Sequence, residues 1–176
     1  ADAPGGLDQP TSVAIARNGD IYVAEGHNPN YLHSQVVRYS AAGMRLGVIA
    51  SKGTGFGEVM GPHALAFDSI GRLFVADRTN NRISIFDAKG RFLAAWKQFS
   101  RPSGIRIGKD DRIYVADSES NDGTGYGSNP GCHPGIRVGS ARTGVVEEFI
   151  PVEPSTETGN PAAEGVAFDR TGAVNG

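Results

Sequence analysis

The stretch Pro62-His63-Ala64-Leu65-Ala66-Phe67-Asp68-Ser69-Ile70-Gly71-Arg72-Leu73-Phe74-Val75-Ala76-Asp77-Arg78-Thr79-Asn80-Asn81-Arg82-Ile83-Ser84-Ile85-Phe86 decides the fold. It reads as three short period-2 apolar runs separated by turn residues, the pattern of strands rather than helices. A fourth run, Phe92-Leu93-Ala94-Ala95-Trp96, follows the turn Asp87-Ala88-Lys89-Gly90, which has Gly at the last position that a type I turn favours. Four short strands in succession make one unit, and the unit recurs. Pro10-Thr11-Ser12-Val13-Ala14-Ile15 leads to Gly19-Asp20-Ile21-Tyr22-Val23-Ala24-Glu25, and Pro102-Ser103-Gly104-Ile105-Arg106-Ile107 leads to Asp111-Arg112-Ile113-Tyr114-Val115-Ala116-Asp117. A further copy opens at Ala163-Glu164-Gly165-Val166-Ala167-Phe168-Asp169. The interval from Pro62 to Pro102 sets a repeat of about 40 residues, in the range of propeller blades.

The expectation is an all-β chain, a β-propeller of four-stranded blades, over residues 1–176 as one partial domain. About three and a half blades are present, near 9–50, 61–98 and 101–150, with a truncated blade at 161–176. An open arc of this kind leaves unpaired edges that can self-associate, and the expected parent is six-bladed. Residues in excess of the repeat fall in loops: 26–34 in the first blade, 118–134 in the third, and the polar linker 151–160. Insertions at equivalent positions project from one face, and such faces bind ligands.

Composition narrows the function. With 25 Gly and 10 Pro in 176 residues the chain is rich in turns, and its net charge of −2 supplies no basic field for nucleic acid. Apolar runs are far shorter than the ~20 residues of a membrane span. Cys132 is the one cysteine, so neither an internal disulfide nor a cysteine-only zinc site can form. The chain starts without Met and without a signal-peptide pattern, which suits a processed chain or a piece of a longer one.

The repeat, above all Val75-Ala76-Asp77-Arg78-Thr79-Asn80-Asn81-Arg82-Ile83, resembles the NHL repeat, and the likeness covers nearly the whole chain. Gly61-Pro62-His63-Ala64-Leu65-Ala66 with Ala76-Asp77-Arg78 is similar to the peptidyl-α-hydroxyglycine α-amidating lyases and their bacterial relatives. That resemblance implies a zinc ion held on the propeller axis by Pro-His motifs of alternate blades. It further implies cleavage of a C-terminal α-hydroxyglycine to a peptide amide and glyoxylate, with structural calcium as an additional cofactor and a periplasmic or secreted location. The chain departs from the pattern in three ways: the upstream blade that would carry the family's first Pro-His is missing, Glu164 stands at a His position, and one cysteine cannot form the family's disulfides.

Individual residues carry two readings each. His63 opens an inner strand, where its ring is either a metal ligand or a channel-lining side chain bonded to backbone or water. Glu164, one intervening blade away, is either a second metal ligand or a charged residue at a blade entrance; Thr11 and Ser103 occupy the corresponding places in the other blades and are poor zinc ligands. Arg78 either clamps a substrate carboxylate or carbonyl or makes a structural ion pair with Asp77 or a neighbouring blade. The resemblance implies that an Arg at this motif lines the active site. His27 and Tyr31, in the first inserted loop, are candidate proton acceptors or surface decoration, and His33 is a weaker member of the same loop. Cys132-His133 reads as part of a turn-rich loop. Asp68, Asp77, Asp117 and Asp169 recur, which favours strand-end turns over catalysis. Two functions follow: a metal-assisted lyase taking a small molecule or peptide C-terminus in the axial pocket, and a non-catalytic propeller that binds a protein or peptide on one face.

Overall fold

A computed structural model of the chain describes residues 6–27, 30–152, 164–168 and 174–175. Three antiparallel four-stranded sheets follow one another along the chain, each in sequential order. The first contains β1 (Ser12–Ile15), β2 (Ile21–Glu25), β3 (Gln35–Tyr39) and β4 (Arg45–Ala50). The second contains β5 (Pro62–Phe67), β6 (Leu73–Asp77), β7 (Arg82–Phe86) and β8 (Phe92–Trp96), and the third β9 (Gly104–Ile107), β10 (Arg112–Asp117), β11 (Gly135–Ser140) and β12 (Val146–Pro151). A two-stranded ladder, β13 (Ala167–Phe168) with β14 (Val174–Asn175), stands at the start of the further repeat. The described residues contain no α-helix; a single 3-10 turn, Arg78–Asn80, follows β6. Asp169, and the linker between residue 152 and residue 164, lie outside the described residues.

The first strands of the sheets lie side by side, with β5 between β1 and β9. Each sheet is therefore a blade, and the sheets stack face to face around that inner row. Alternation along β6 shows how the stacking is driven. Leu73 and Val75 point toward the first blade, into a cluster with Tyr22, Val36, Val59 and Phe86. Phe74 and Ala76 point the other way, among Ile83, Ile85, Phe99, Ile113 and Val115. All five residues of β6 are buried, because the middle blade has a neighbour on both faces. Truncating a side chain such as Phe74, which is completely buried, to Ala removes about 3–5 kcal/mol.

The expected turn at Asp87 forms as read: Gly90 (φ 82°) donates its N–H to the Asp87 carbonyl at 2.9 Å, while Asp87 Oδ1 accepts from the N–H groups of Lys89 and Arg91. Asp68 does the same for Ile70 and Arg72. Polar side chains also fasten blade to blade. Thr11 Oγ1 donates to the Pro62 carbonyl at 2.7 Å, and Ser69 donates twice to the Asp111 carboxylate, at 2.7 and 2.5 Å.

Asp77 and Asp117 have a different task from Asp68. Each ends the second strand of its blade at zero exposure, and Glu25 holds the same place in the first blade at 3%. Asp77 accepts from the Met60 N–H at 2.7 Å, from Asn80, from Arg82 Nε at 2.7 Å and from Ser84. It ties the segment entering the blade to its second and third strands. Burial pushes the Asp77 carboxyl above its usual range in spite of these donors. Asp77→Ala leaves Arg82 buried without its partner and is expected to lower stability by about 3–5 kcal/mol, while Asp77→Leu combined with Arg82→Met restores most of it. Urea unfolding of the single and double variants checks this, and a single-variant loss below about 1 kcal/mol contradicts it.

Candidate functional site

The strand-end carboxylates fix the residues that immediately follow them, and these converge near the inner row of strands. Arg78 follows Asp77 in the 3-10 turn and is buried, with 4% exposure. Its Nη1 lies 3.3 Å from His27 Nε2, a residue of the first blade, and its Nη2 donates to Tyr126 Oη of the third blade at 3.1 Å. Nη2 is also ion-paired with Glu119. The guanidinium of the middle blade thus reaches both neighbouring blades. Asp77, one of the partners expected for Arg78, is instead taken by Arg82; the neighbouring-blade alternative is the one formed. Arg78 Nε is buried without a hydrogen-bond partner among the described residues.

His63 and His27 meet edge to face, with ring centroids 4.9 Å apart. His63 Nδ1 is 3.2 Å from the Ser103 carbonyl oxygen, which can only accept, so Nδ1 carries the proton and Nε2 the lone pair. Arginine donates only, so the same argument makes His27 Nε2 the acceptor of the Arg78 bond. Burial holds the His63 pKa below its ordinary value, and the positive charge of Arg78 and the neighbouring His27 act in the same direction. Glu164 and the Ser103 carbonyl oppose the shift without reversing it.

Tyr31 lies 6.4 Å from His27, ring to ring, at a positive φ of 51°. It packs over Gly61, where an added Cβ would come within 2.9 Å of Tyr31 Cε1 and 2.7 Å of Thr79 Oγ1. Gly61 also has φ 57°, so the residue before Pro62 has to be glycine for both reasons. Glu164 is exposed and runs beside β9, where its carbonyl would lie 3.0 Å from a Cβ built on Gly104. It reaches His63 through its charge. His33 is outside this cluster and binds Asp8 at 2.7 Å, and the Cys132 N–H closes a turn onto Asn129.

Sequence reasoning missed Glu119, Tyr126 and Arg101. Tyr126 Oη donates to Glu119 Oε1 at 2.6 Å, Arg101 Nε donates to Glu119 Oε2 at 3.1 Å, and the Arg101 guanidinium lies 5.1 Å over the Tyr126 ring. Burial raises the Glu119 pKa, but the Tyr126 hydroxyl and the charges of Arg78 and Arg101 outweigh it and hold the carboxyl below its usual range. Two buried arginines therefore share one carboxylate, and the cluster keeps positive charge beside His63. The repeat held one signal for it: counted from the strand-end acid, His27, Thr79 and Glu119 occupy the same position in successive blades.

Among the described residues no three His, Cys, Asp or Glu side chains gather into a metal-holding group. Structural zinc takes four donors and catalytic zinc at least three. Here His27 Nε2 is turned to a guanidinium and Glu164 faces solvent, so the described residues alone do not fit a zinc ion. No helix among them is long and apolar enough to cross a membrane.

Sequential four-stranded blades stacked around an inner row of first strands define a β-propeller. Solved propellers share the arrangement: Kuenenia stuttgartiensis hydrazine synthase superposes with a TM-score of 0.65 over 98% of this chain and 42% of that one, at 19% identity. Virginiamycin B lyase from Staphylococcus aureus gives a TM-score of 0.59 over 97% of this chain and 49% of that one, at 13% identity. At such identities the likeness concerns the fold. The NHL repeat model matches residues 60–86 and 99–121, so this β-propeller carries NHL repeats. Human NHL repeat-containing protein 3 is 34% identical over 113 residues, 62% of this chain and 32% of that protein. The Caenorhabditis elegans protein named "Probable peptidyl-alpha-hydroxyglycine alpha-amidating lyase pgal-1" is 35% identical over 83 residues, 46% of this chain and 23% of that protein. The matched region spans about a third or less of the length of these relatives.

A depressed His63 pKa has a consequence for stability. The folded state binds the proton less well than the unfolded chain, whose histidine titrates near 6.5. The stability is fully present above that value and is lost as pH falls from it through the lower, folded-state value. Urea midpoints at pH 7 and pH 5 are expected to fall further in wild type than in His63→Gln. Equal falls would contradict a buried, neutral His63.

Proposed function

We propose that this arc supplies part of the axial site of a lyase acting on a peptide C-terminus, with an α-hydroxyglycine as substrate and a peptide amide and glyoxylate as products. The observation that carries the reading is the convergence of His27, His63 and Arg78 from two consecutive blades, with positive charge to spare. The partial identity to an α-amidating lyase gives it chemical direction.

Arg78 is the group for the substrate carboxylate. A guanidinium offers its N–H groups to a carboxylate, and Nη1, on the side of His27, is the donor that Glu119 and Tyr126 leave for substrate. A substrate carboxylate that takes the Nη1 donor of Arg78, with Nη2 still held by Glu119 and Tyr126, releases His27 Nε2 to accept the proton of the substrate hydroxyl. The O–H electron pair then forms the aldehyde C=O, the C–N bond breaks, and the amide nitrogen takes up a proton. The two products account for every atom of the substrate. Tyr31, with its ring 6.4 Å from that of His27, is the second candidate acceptor. His63, kept neutral by burial, presents a lone-pair nitrogen to the same space. The described residues do not fit a zinc ion by themselves. Its further donors, if the activity uses a metal, come from outside those residues, with His63 and Glu164 as this arc's contribution.

The test is glyoxylate release from a peptidyl-α-hydroxyglycine by the full-length protein, with and without chelator, beside His63→Ala and Arg78→Ala. The expected outcome is release that falls by at least about 100-fold in both variants. Loss of release on chelation would add a metal to the site. A folded protein that releases no glyoxylate after zinc loading contradicts the lyase reading and leaves a propeller that binds a protein or peptide.

A further inference from the structure

The loop that follows β10 contributes two side chains to the cluster, and their geometry gives them a defined task. We propose that Glu119 and Tyr126 are positioning residues that set the direction of the Arg78 guanidinium, so that its Nη1 faces His27. The proposal rests on the reading of Arg78 as the group that receives substrate.

Arg78 has a long side chain with many rotamers, and its own blade gives its guanidinium no polar partner among the contacts described. Asp77, immediately before it, is occupied by Arg82, Asn80 and Ser84. What holds Nη2 comes from the third blade: the Glu119 carboxylate and, at 3.1 Å, the Tyr126 hydroxyl. The hydroxyl accepts from Arg78 and donates to Glu119 at 2.6 Å, so the three groups close a ring of donors and acceptors. With Nη2 fixed on that side, planarity of the guanidinium turns Nη1 to His27 Nε2 at 3.3 Å.

Glu119 is itself held in place. Arg101 donates Nε to Glu119 at 3.1 Å and Nη1 to the Arg78 carbonyl at 3.0 Å and to Asn81 Oδ1 at 3.2 Å. It also lies under the Tyr126 ring. One cation therefore braces the carboxylate, the tyrosine and the backbone of the residue they orient. Since Glu119 serves both arginines, neither is fully neutralised, and Arg78 keeps attraction for a carboxylate from outside. An acid serving Arg78 alone would compete with such a ligand. The shared acid orients without quenching.

Glu119→Gln keeps an acceptor and removes the charge. Tyr126→Phe, at a residue 66% exposed, removes one hydroxyl with little risk to the fold, which circular dichroism and a urea midpoint verify for both variants. The first readout is NMR of ¹⁵N-arginine-labelled full-length protein, with Arg78 assigned by its loss in Arg78→Lys. Restricted rotation of the Arg78 Nη groups in wild type, released in both variants, is the expected result. Unchanged rotation in both overturns the proposal, whether or not the protein is a lyase. The second readout is glyoxylate release. If wild type is active, kcat is expected to fall at least about tenfold in Glu119→Gln, with KM changed less than about twofold. An active wild type with unaltered kcat in both variants also overturns the positioning role. An inactive wild type with released rotation in both variants refutes the lyase reading and upholds the orienting of Arg78.

Discussion

A single buried carboxylate at the end of the second strand organises each blade. Glu25 accepts from the Asp8 N–H and from Gln35, Asp77 from the Met60 N–H and Arg82, and Asp117 from the Arg101 N–H and Arg137. In all three the acid joins the segment that enters the blade to a residue on the third strand. The chain must leave the second strand where that acid is anchored, so the residues just beyond it are delivered to the same place in every blade. Arg78, one residue past its acid, and His27 and Glu119, each two residues past theirs, are three of them. Hydrogen bonds from backbone and side chains reduce the cost of burying these carboxylates and fix where they sit, so the site inherits a defined starting point from an element that takes no part in its chemistry.

The second contribution is apolar and sets the spacing between blades. Because successive residues of β6 enter different cores, the first and third blades are held on opposite faces of one strand. A slip of one residue in its pairing would exchange Leu73 and Val75 for Phe74 and Ala76 and misfit both cores at once. The reach from Arg78 to His27 on one side and to Glu119 on the other depends on that register.

Period-2 alternation, the recurrent Pro and the acid at the strand ends made the blades legible, since those features arise from local geometry and from burial on both faces. The Asp87 turn was readable from its terminal Gly90 alone. His63 and Arg78 were legible as candidates from their places at strand ends of the blade and His27 from its inserted loop, with the family resemblance pointing to each. Their mutual contacts were not, because they depend on how far the blades rotate about the axis. Glu119 and Tyr126 lay in a stretch whose Gly, Ser and Asn content says only that it is a loop. The difference between Asp68 and Asp77, one capping a turn and the other buried against Arg82, was hidden as well: both follow an apolar run, and only tertiary packing separates them.

A neutral His63 commits its Nδ1–H to the Ser103 carbonyl and keeps its lone pair on Nε2, in a ring that meets His27 edge to face. Long-range ¹H–¹⁵N correlation of the four histidine rings at pH 7, with His63 assigned through His63→Gln, reads the tautomer directly. A His63 ring protonated on Nδ1 alone is the predicted result. Protonation on Nε2 alone, or on both nitrogens, would contradict it.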